Sequence, residues 1–310
     1  MLHYSTPTRI IVLSGLLLLL LATGCSDLKV STFYETGALA TENAIATDLG
    51  REVFKRGGNA FDVAVATGFV LAVTHPQAGN IAGGGFAVIR DGASGDVRSL
   101  DFRETAPSAA TTDMYLDAAG NVIDNASLRG ARAAGIPGTV AGLHTLWREY
   151  GSLPWEDLVR LAADLADSGF VVDERLAGDF DEAASDLMQH PATVAVFAPE
   201  GRLPQAGERL VLPELAQTLY TIAAQGPAGF YEGVVATLID SSMQLNGGLI
   251  TGADLAGYEP VWREPLMFTF DSLTIFSMAP PSSGGVVVGQ ILTLLEPYDF
   301  SVMTIRSPEY

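Results

Sequence analysis

The chain has 310 residues and is 48% hydrophobic, enough to bury a sizeable core in one large domain or two. Its 36 acidic residues outnumber 17 basic ones, a formal net charge of −19 at pH 7; that balance repels phosphate backbones, and no basic patch with interleaved aromatics offsets it, so nucleic acid is excluded as a partner. The single cysteine, Cys25, rules out an internal disulfide framework and a thiolate metal site.

The N-terminus reads as a targeting segment. Arg9 precedes an apolar run from Ile10 to Ala22, interrupted only by Ser14 and Gly15. That run is too short and too abruptly ended for a membrane-spanning helix. It leads through Ala22-Thr23-Gly24 into Cys25 and resembles a bacterial lipoprotein signal, cleaved before a cysteine that is then acylated. Ordinary secretory cleavage after Gly24 also fits these small residues; lipidation is favoured because the lone cysteine stands at the cleavage point. Residues 1–24 are therefore expected to be a signal peptide and 25–33 a tether. The expected location is the periplasm or cell envelope on a lipid anchor, with a secreted periplasmic form as the alternative. Ser26 in place of Asp after the cysteine favours the outer membrane.

Beyond the tether, Ile45, Leu49 and Val53 recur at helical spacing, and Gly57-Gly58 closes that helix. Asn59 can cap the next one, with Asp62 in its first turn; from Ala60 to Val73 it is apolar on nearly every face and should be buried. Gly85–Arg90 and Val97–Phe102 read as a hairpin around a turn-rich loop. Helices follow from Val140 to Tyr150 with Thr139 as N-cap, from Trp155 to Ala166, and from Pro213 to a stop at Gly226. Another ends at Asn246-Gly247-Gly248, and Thr251 with Asp254 forms a capping box for a short one. Strands Leu266–Phe270 and Leu273–Ser277 flank Asp271-Ser272, and the loop Pro280–Gly285 feeds a helix from Val286. Strands in hairpins disfavour a doubly wound parallel sheet. At the far end Ser307-Pro308-Glu309 is a helix start signal without its helix, so the chain is expected to be cut mid-domain.

Arg103 is the foremost candidate for chemistry. It follows a predicted strand and precedes Pro107 in a loop, where side chains face ligands, and its guanidinium fork pairs bidentately with a carboxylate. An internal ion pair with Asp101 or Glu104 is the competing reading. Gly83-Gly84-Gly85 precedes a strand and lacks a Lys-Ser/Thr ending, so close backbone approach or a tight turn is preferred over a phosphate loop. Ser282-Ser283-Gly284-Gly285 offers hydroxyls and N–H groups at a helix start, or simply a Pro-Pro turn with a Ser cap. His75, His144 and His190 show no metal spacing and read as surface or core histidines, and there is no G-x-S-x-G elbow. No metal or cofactor is expected.

Taken in order, Arg56-Gly57-Gly58-Asn59-Ala60, Gly83-Gly84-Gly85-Phe86, Leu100-Asp101-Phe102-Arg103-Glu104-Thr105-Ala106-Pro107, Gly135-Ile136-Pro137-Gly138-Thr139-Val140-Ala141-Gly142 and Pro280-Pro281-Ser282-Ser283-Gly284-Gly285 strongly resemble the large-subunit half of γ-glutamyltransferases (glutathione hydrolases). Ala82 and Ala279 depart mildly from that pattern, which commonly has Gly and Pro there. The resemblance implies an N-terminal nucleophile hydrolase fold of mixed α/β (α+β) type, an αββα sandwich of two sheets between helical layers, incomplete within 34–310. It implies a proenzyme that cleaves itself to expose a threonine whose own amine is the general base. That threonine would attack the γ-glutamyl amide of glutathione and pass the glutamyl group to water or to an acceptor amino acid or peptide. Arg103 matches the family's arginine that holds the α-carboxylate of the γ-glutamyl group. The family's Thr-Thr-His marker does not occur in these residues, and Thr111-Thr112, followed by Asp113, is a decoy. No catalytic residue is therefore assigned: the nucleophile is expected beyond Tyr310, on a small subunit that would be the partner, and the isolated chain is expected to be inactive. Two alternatives stay open: a non-catalytic lipoprotein that binds γ-glutamyl compounds, and a related acylase of the same class.

Overall fold

The computed structural model describes residues 37–300; Cys25, the tether and the start signal at Ser307 lie outside them. The larger compact unit begins at Leu39. Its first helix, α1 (Ala44–Lys55), is capped by the Asn43 side chain, which accepts from the N–H groups of Ile45 and Ala46. It ends as the glycines imply: Gly58 N–H donates to Val53 O and Gly57 N–H to Phe54 O, a Schellman pair that satisfies two orphan carbonyls. Asn59 and Asp62 then form a full capping box on α2 (Ala60–Thr74). Asp62 does more than cap. It is fully buried, and its oxygens also accept from Ser152 N–H at 2.9 Å, Leu153 N–H at 3.2 Å and the Ser152 hydroxyl. A buried carboxylate is tolerated because every lone pair finds a donor.

Around α2 the helical layer assembles. It packs against α1, α3 (Thr139–Tyr150) and α4 (Trp155–Ser168), and α4 in turn packs on α7 (Pro213–Gln225). Trp155 sits at the junction, edge-on to Phe69 at 5.5 Å and donating its indole N–H to Ile222 O at 3.0 Å. Leu158, Leu219 and Ile222 are fully buried beside it. Between α4 and α7 runs a segment absent from the sequence reading: β3 (Phe170–Val171), α5 (Glu174–Leu187), α6 (Pro191–Phe197) and β4 (Arg209–Leu210). Strands β3 and β4 pair with each other, and Asp173 caps α5 through Leu176 N–H. After α7 come α8 (Ala228–Tyr231), α9 (Gly233–Leu245) and α10 (Gly252–Ala256), the last carrying the expected Thr251/Asp254 box.

Every strand pair among the described residues is antiparallel. β1 (Phe86–Arg90) and β2 (Val97–Asp101) form the expected hairpin, in register Phe86 to Asp101. The sequence reading missed β5 (Val261–Arg263), which joins the free edge of β2 and gives the order β1-β2-β5. β6 (Leu266–Phe270) and β7 (Leu273–Ser277) form a separate hairpin on which α11 (Gly284–Leu295) lies. This last pairing leaves apolar surface bare: Met267, Leu273, Val287, Val288, Ile291 and Leu294 are all exposed.

One expected cap is corrected. Gly138, not Thr139, occupies the N-cap of α3: the helix starts at Thr139, whose hydroxyl donates to Asn80 Oδ1 instead of capping. Ser283 holds the N-cap position of α11 without capping it; the Ser282 hydroxyl instead accepts from Gly284 N–H at 3.3 Å.

Candidate functional site

The scattered glycine blocks meet at Phe102–Arg103. The β1–β2 ladder extends one pair beyond the strands, with Gly85 and Phe102 exchanging both backbone bonds. The Phe102 ring drops into the core against Gly142, where any Cβ would collide with it. A Cβ on Gly84 would stand 2.7 Å from Arg103 Cα. The preference for close backbone approach in the Gly83–Gly85 run thus holds, and the N–H groups that start α3 are spent on Gly83 O rather than offered to a phosphate.

What emerges from this packing is Arg103, fixed through its main chain. Its N–H donates to Asp101 Oδ1 at 3.0 Å, and its carbonyl accepts the Tyr258 hydroxyl at 2.8 Å. The second Asp101 oxygen is taken by Arg263 Nε at 2.8 Å. With Asp101 committed, the Arg103 guanidinium has no carboxylate within 4.0 Å among the described residues. It makes one long bond, Nη1 to Pro281 O at 3.4 Å, and lies 6.0 Å from the Phe86 ring centroid. The internal ion pair with Asp101 or Glu104 is therefore not formed, and the exposed guanidinium is available to a ligand.

Tyr258 is a rigid donor. Burial, then the charges of Asp101 and Glu104, push its phenol well above the ordinary tyrosine value, so it stays protonated. It stacks at 5.9 Å and 5° on Tyr231, itself held neutral by burial while its hydroxyl donates to Pro137 O and accepts from Ala141 N–H. Two cavities flank the Arg103–Thr105 segment. One, about 390 Å³, is lined by Asp101, Arg103, Glu104, Tyr258, Glu259 and Arg263 among others; the other, about 460 Å³, includes Arg103, Glu104, Pro107, Tyr115 and Arg132.

The remaining candidates fall outside this cluster. Thr111 bonds to Asp113 on an exposed loop, and neither Thr111 nor Thr112 lines a cavity beside Arg103. His75 ends α2, and His190 holds the N-cap position of α6. His144 is half-buried against Trp147 and Trp155, where desolvation and then Arg148 lower its pKa. No His/Cys/Asp/Glu group among the described residues has a metal-holding arrangement. The Pro280–Gly285 loop does reach the site, through the Pro281 carbonyl after a cis Pro280–Pro281 bond. Sequence reasoning missed Tyr258, Arg263 and Arg132. A strand-borne Asp101 needing a buried partner was the one available hint of Arg263.

The same blocks are shared with known proteins. The Gamma-glutamyltranspeptidase family model matches residues 46–310. The chain belongs to the γ-glutamyltranspeptidase family. It is 46% identical over 264 residues to the glutathione hydrolase proenzyme of Escherichia coli (strain K12), covering 85% of this chain and 45% of that protein. Its structure superposes on that of Helicobacter pylori gamma-glutamyltranspeptidase with a TM-score of 0.87 and 42% identity, over 90% of this chain and 80% of that one. For gamma-glutamyltranspeptidase from Pseudomonas nitroreducens complexed with L-DON, the TM-score is 0.83 at 40% identity, over 89% and 81%. The mixed helix-and-sheet architecture is thus that of the N-terminal nucleophile hydrolase transpeptidases. The chain spans about half the length of the curated relatives it matches, 45% and 48% of the first two, in their N-terminal, large-subunit part.

Proposed function

We propose that this γ-glutamyltranspeptidase chain supplies the γ-glutamyl-binding wall of a glutathione hydrolase, with Arg103 holding the ligand's α-carboxylate. The observation that carries this reading is an arginine held by its main chain on both sides, with no carboxylate partner among the described residues, between two cavities. Bidentate arginine–carboxylate pairs are the strong, oriented kind of contact that placing a scissile amide requires. In the whole protein a threonine hydroxyl would attack the γ-carbonyl, its proton passing by way of the threonine's own amine to the departing amine. Water or an acceptor amine would then take the glutamyl group from the resulting ester. Calorimetric titration with glutathione, with Arg103→Ala as control, tests the binding role; an unaltered signal in the variant removes Arg103 from the account. Purified chain should release no glutamate from glutathione, since the Thr-Thr-His marker is not among its residues; turnover free of contaminants would refute this.

The small subunit is the proposed occupant of the bare apolar face of α11 and the β6–β7 hairpin, which borders a cavity of about 720 Å³. Exposed apolar surface of this extent marks an interaction site. We also propose that Cys25, outside the described residues, anchors the protein by acylation to the envelope, with the outer membrane preferred. No helix among the described residues is long and apolar enough to cross a membrane. Palmitate labelling that survives Cys25→Ser would overturn the anchor.

A further inference from the structure

The two cavities beside Arg103 differ in charge, and the difference bears on which γ-glutamyl compounds fit. The smaller one gathers Asp101, Glu104 and Glu259 against Arg103 and an Arg263 already engaged by Asp101. The larger one contains Glu104 as its single acid, opposed by Arg103 and Arg132, and the rest of its wall is largely apolar. Arg132 sits on the short turn Ala131–Ala133 and is steadied at two points. Its Nη1 donates to Met114 O at 3.2 Å, and the Tyr115 hydroxyl donates to its main-chain carbonyl at 3.4 Å. Like Arg103, it has no carboxylate within 4.0 Å among the described residues. One cavity is therefore lined by two arginines that no carboxylate among the described residues pairs, with mostly small side chains between them.

The geometry points to Arg132 as a second carboxylate-binding residue, one that takes the C-terminal carboxylate of the peptide joined to the γ-glutamyl group. This rests on the reading that Arg103 holds the α-carboxylate. A γ-glutamyl peptide has a carboxylate at each end, whereas a γ-glutamyl amine has only one. Arg103 alone cannot tell them apart; Arg132 selects the peptide. The acidic cavity on the other side of Arg103 rejects a second carboxylate and so favours this direction of binding.

The test compares glutathione with glutathione amidated at its glycine carboxylate, titrated calorimetrically into the full chain and into Arg132→Gln, Arg132→Lys and Arg103→Gln. The wild type is expected to prefer the free acid by about tenfold. Arg132→Gln should erase that preference while binding the amide as before, which also shows that the variant is folded. Arg132→Lys should keep part of it, and Arg103→Gln should weaken both ligands alike. A preference retained in Arg132→Gln, with Arg103→Gln still weakening both ligands, overturns this inference and leaves the Arg103 reading standing. Ligands indifferent to Arg103→Gln, or no binding of either to the wild type, overturn both.

Discussion

The hydroxyl of Tyr258 reaches across 155 positions of sequence to hold the main-chain carbonyl of Arg103 at 2.8 Å. The bond ties the start of the post-strand loop to the segment just before β5, so Arg103's position depends on a residue that holds its main chain. Tyr258→Phe removes the hydroxyl and keeps the ring stacked on Tyr231. It should weaken γ-glutamyl binding by about three- to tenfold, the worth of one hydrogen bond. Titration calorimetry reads this directly; an unchanged dissociation constant would mean that the loop holds itself.

Asp101 serves two masters, the Arg103 N–H and the Arg263 side chain. Asp101→Asn keeps an acceptor for the first and loses the charge opposite the second. Because Asp101 is nearly buried and Arg263 about 38% exposed, the cost should be about 2 kcal/mol, below that of breaking a fully buried pair. Urea denaturation should show the midpoint falling with little change in slope.

Gly142→Ala puts a methyl group into the Phe102 ring and should destabilise the fold by about 1–3 kcal/mol, as overpacked cores do. Gly92 has nothing within 4 Å of its would-be Cβ, so Gly92→Ala is the matched control and should leave the thermal midpoint nearly unchanged. Equal midpoints for the two variants would contradict the packing described for Phe102.

Stability should fall on the acid side partly through Asp254. Burial raises its pKa, but the Ser108 N–H and the hydroxyl and N–H of Thr251 outweigh that and hold it at about 2, against an ordinary 3.8. Since the folded value is the lower one, its contribution is present above about pH 4 and is lost as pH falls towards 2. The stability gap between wild type and Asp254→Asn, followed by chemical denaturation, should therefore shrink from pH 5 to pH 2. A gap that is flat across this range would show that these bonds form no better in the folded state.

Local signals carried much of the fold. Asn59 with Asp62, Gly57-Gly58, and Thr251 with Asp254 marked helix ends because a cap is a matter of three or four neighbouring residues. Helical spacing of apolar residues marked α1, and unbroken apolarity marked α2, which is buried on nearly every side. The stretch from Phe170 to Leu210 escaped: β3 and β4 are two residues each, too short for any period, and α5 carries many acids beside its apolar stripe. β5 escaped for the same reason, and with it Arg263. Arg103 was legible as a candidate from its place after a strand and, by resemblance, as a carboxylate ligand. Its freedom from Asp101 was not, because that depends on a competitor 162 positions away. Nor did the sequence show that Gly84, Gly142 and Pro281 close on the same two residues, since only the folded chain brings them together.

The uncovered side of α11 also bears on how this chain behaves in a tube. Valines 286 to 288, Ile291 and Leu294 face solvent on a chain whose formal net charge is −19. Mutual repulsion keeps such molecules apart at low ionic strength, but its reach shrinks to about 8 Å in physiological salt. Added sodium chloride should therefore promote clustering, the reverse of what it does to charge-driven complexes, and light scattering should rise with salt until Ile291 or Leu294 is made polar.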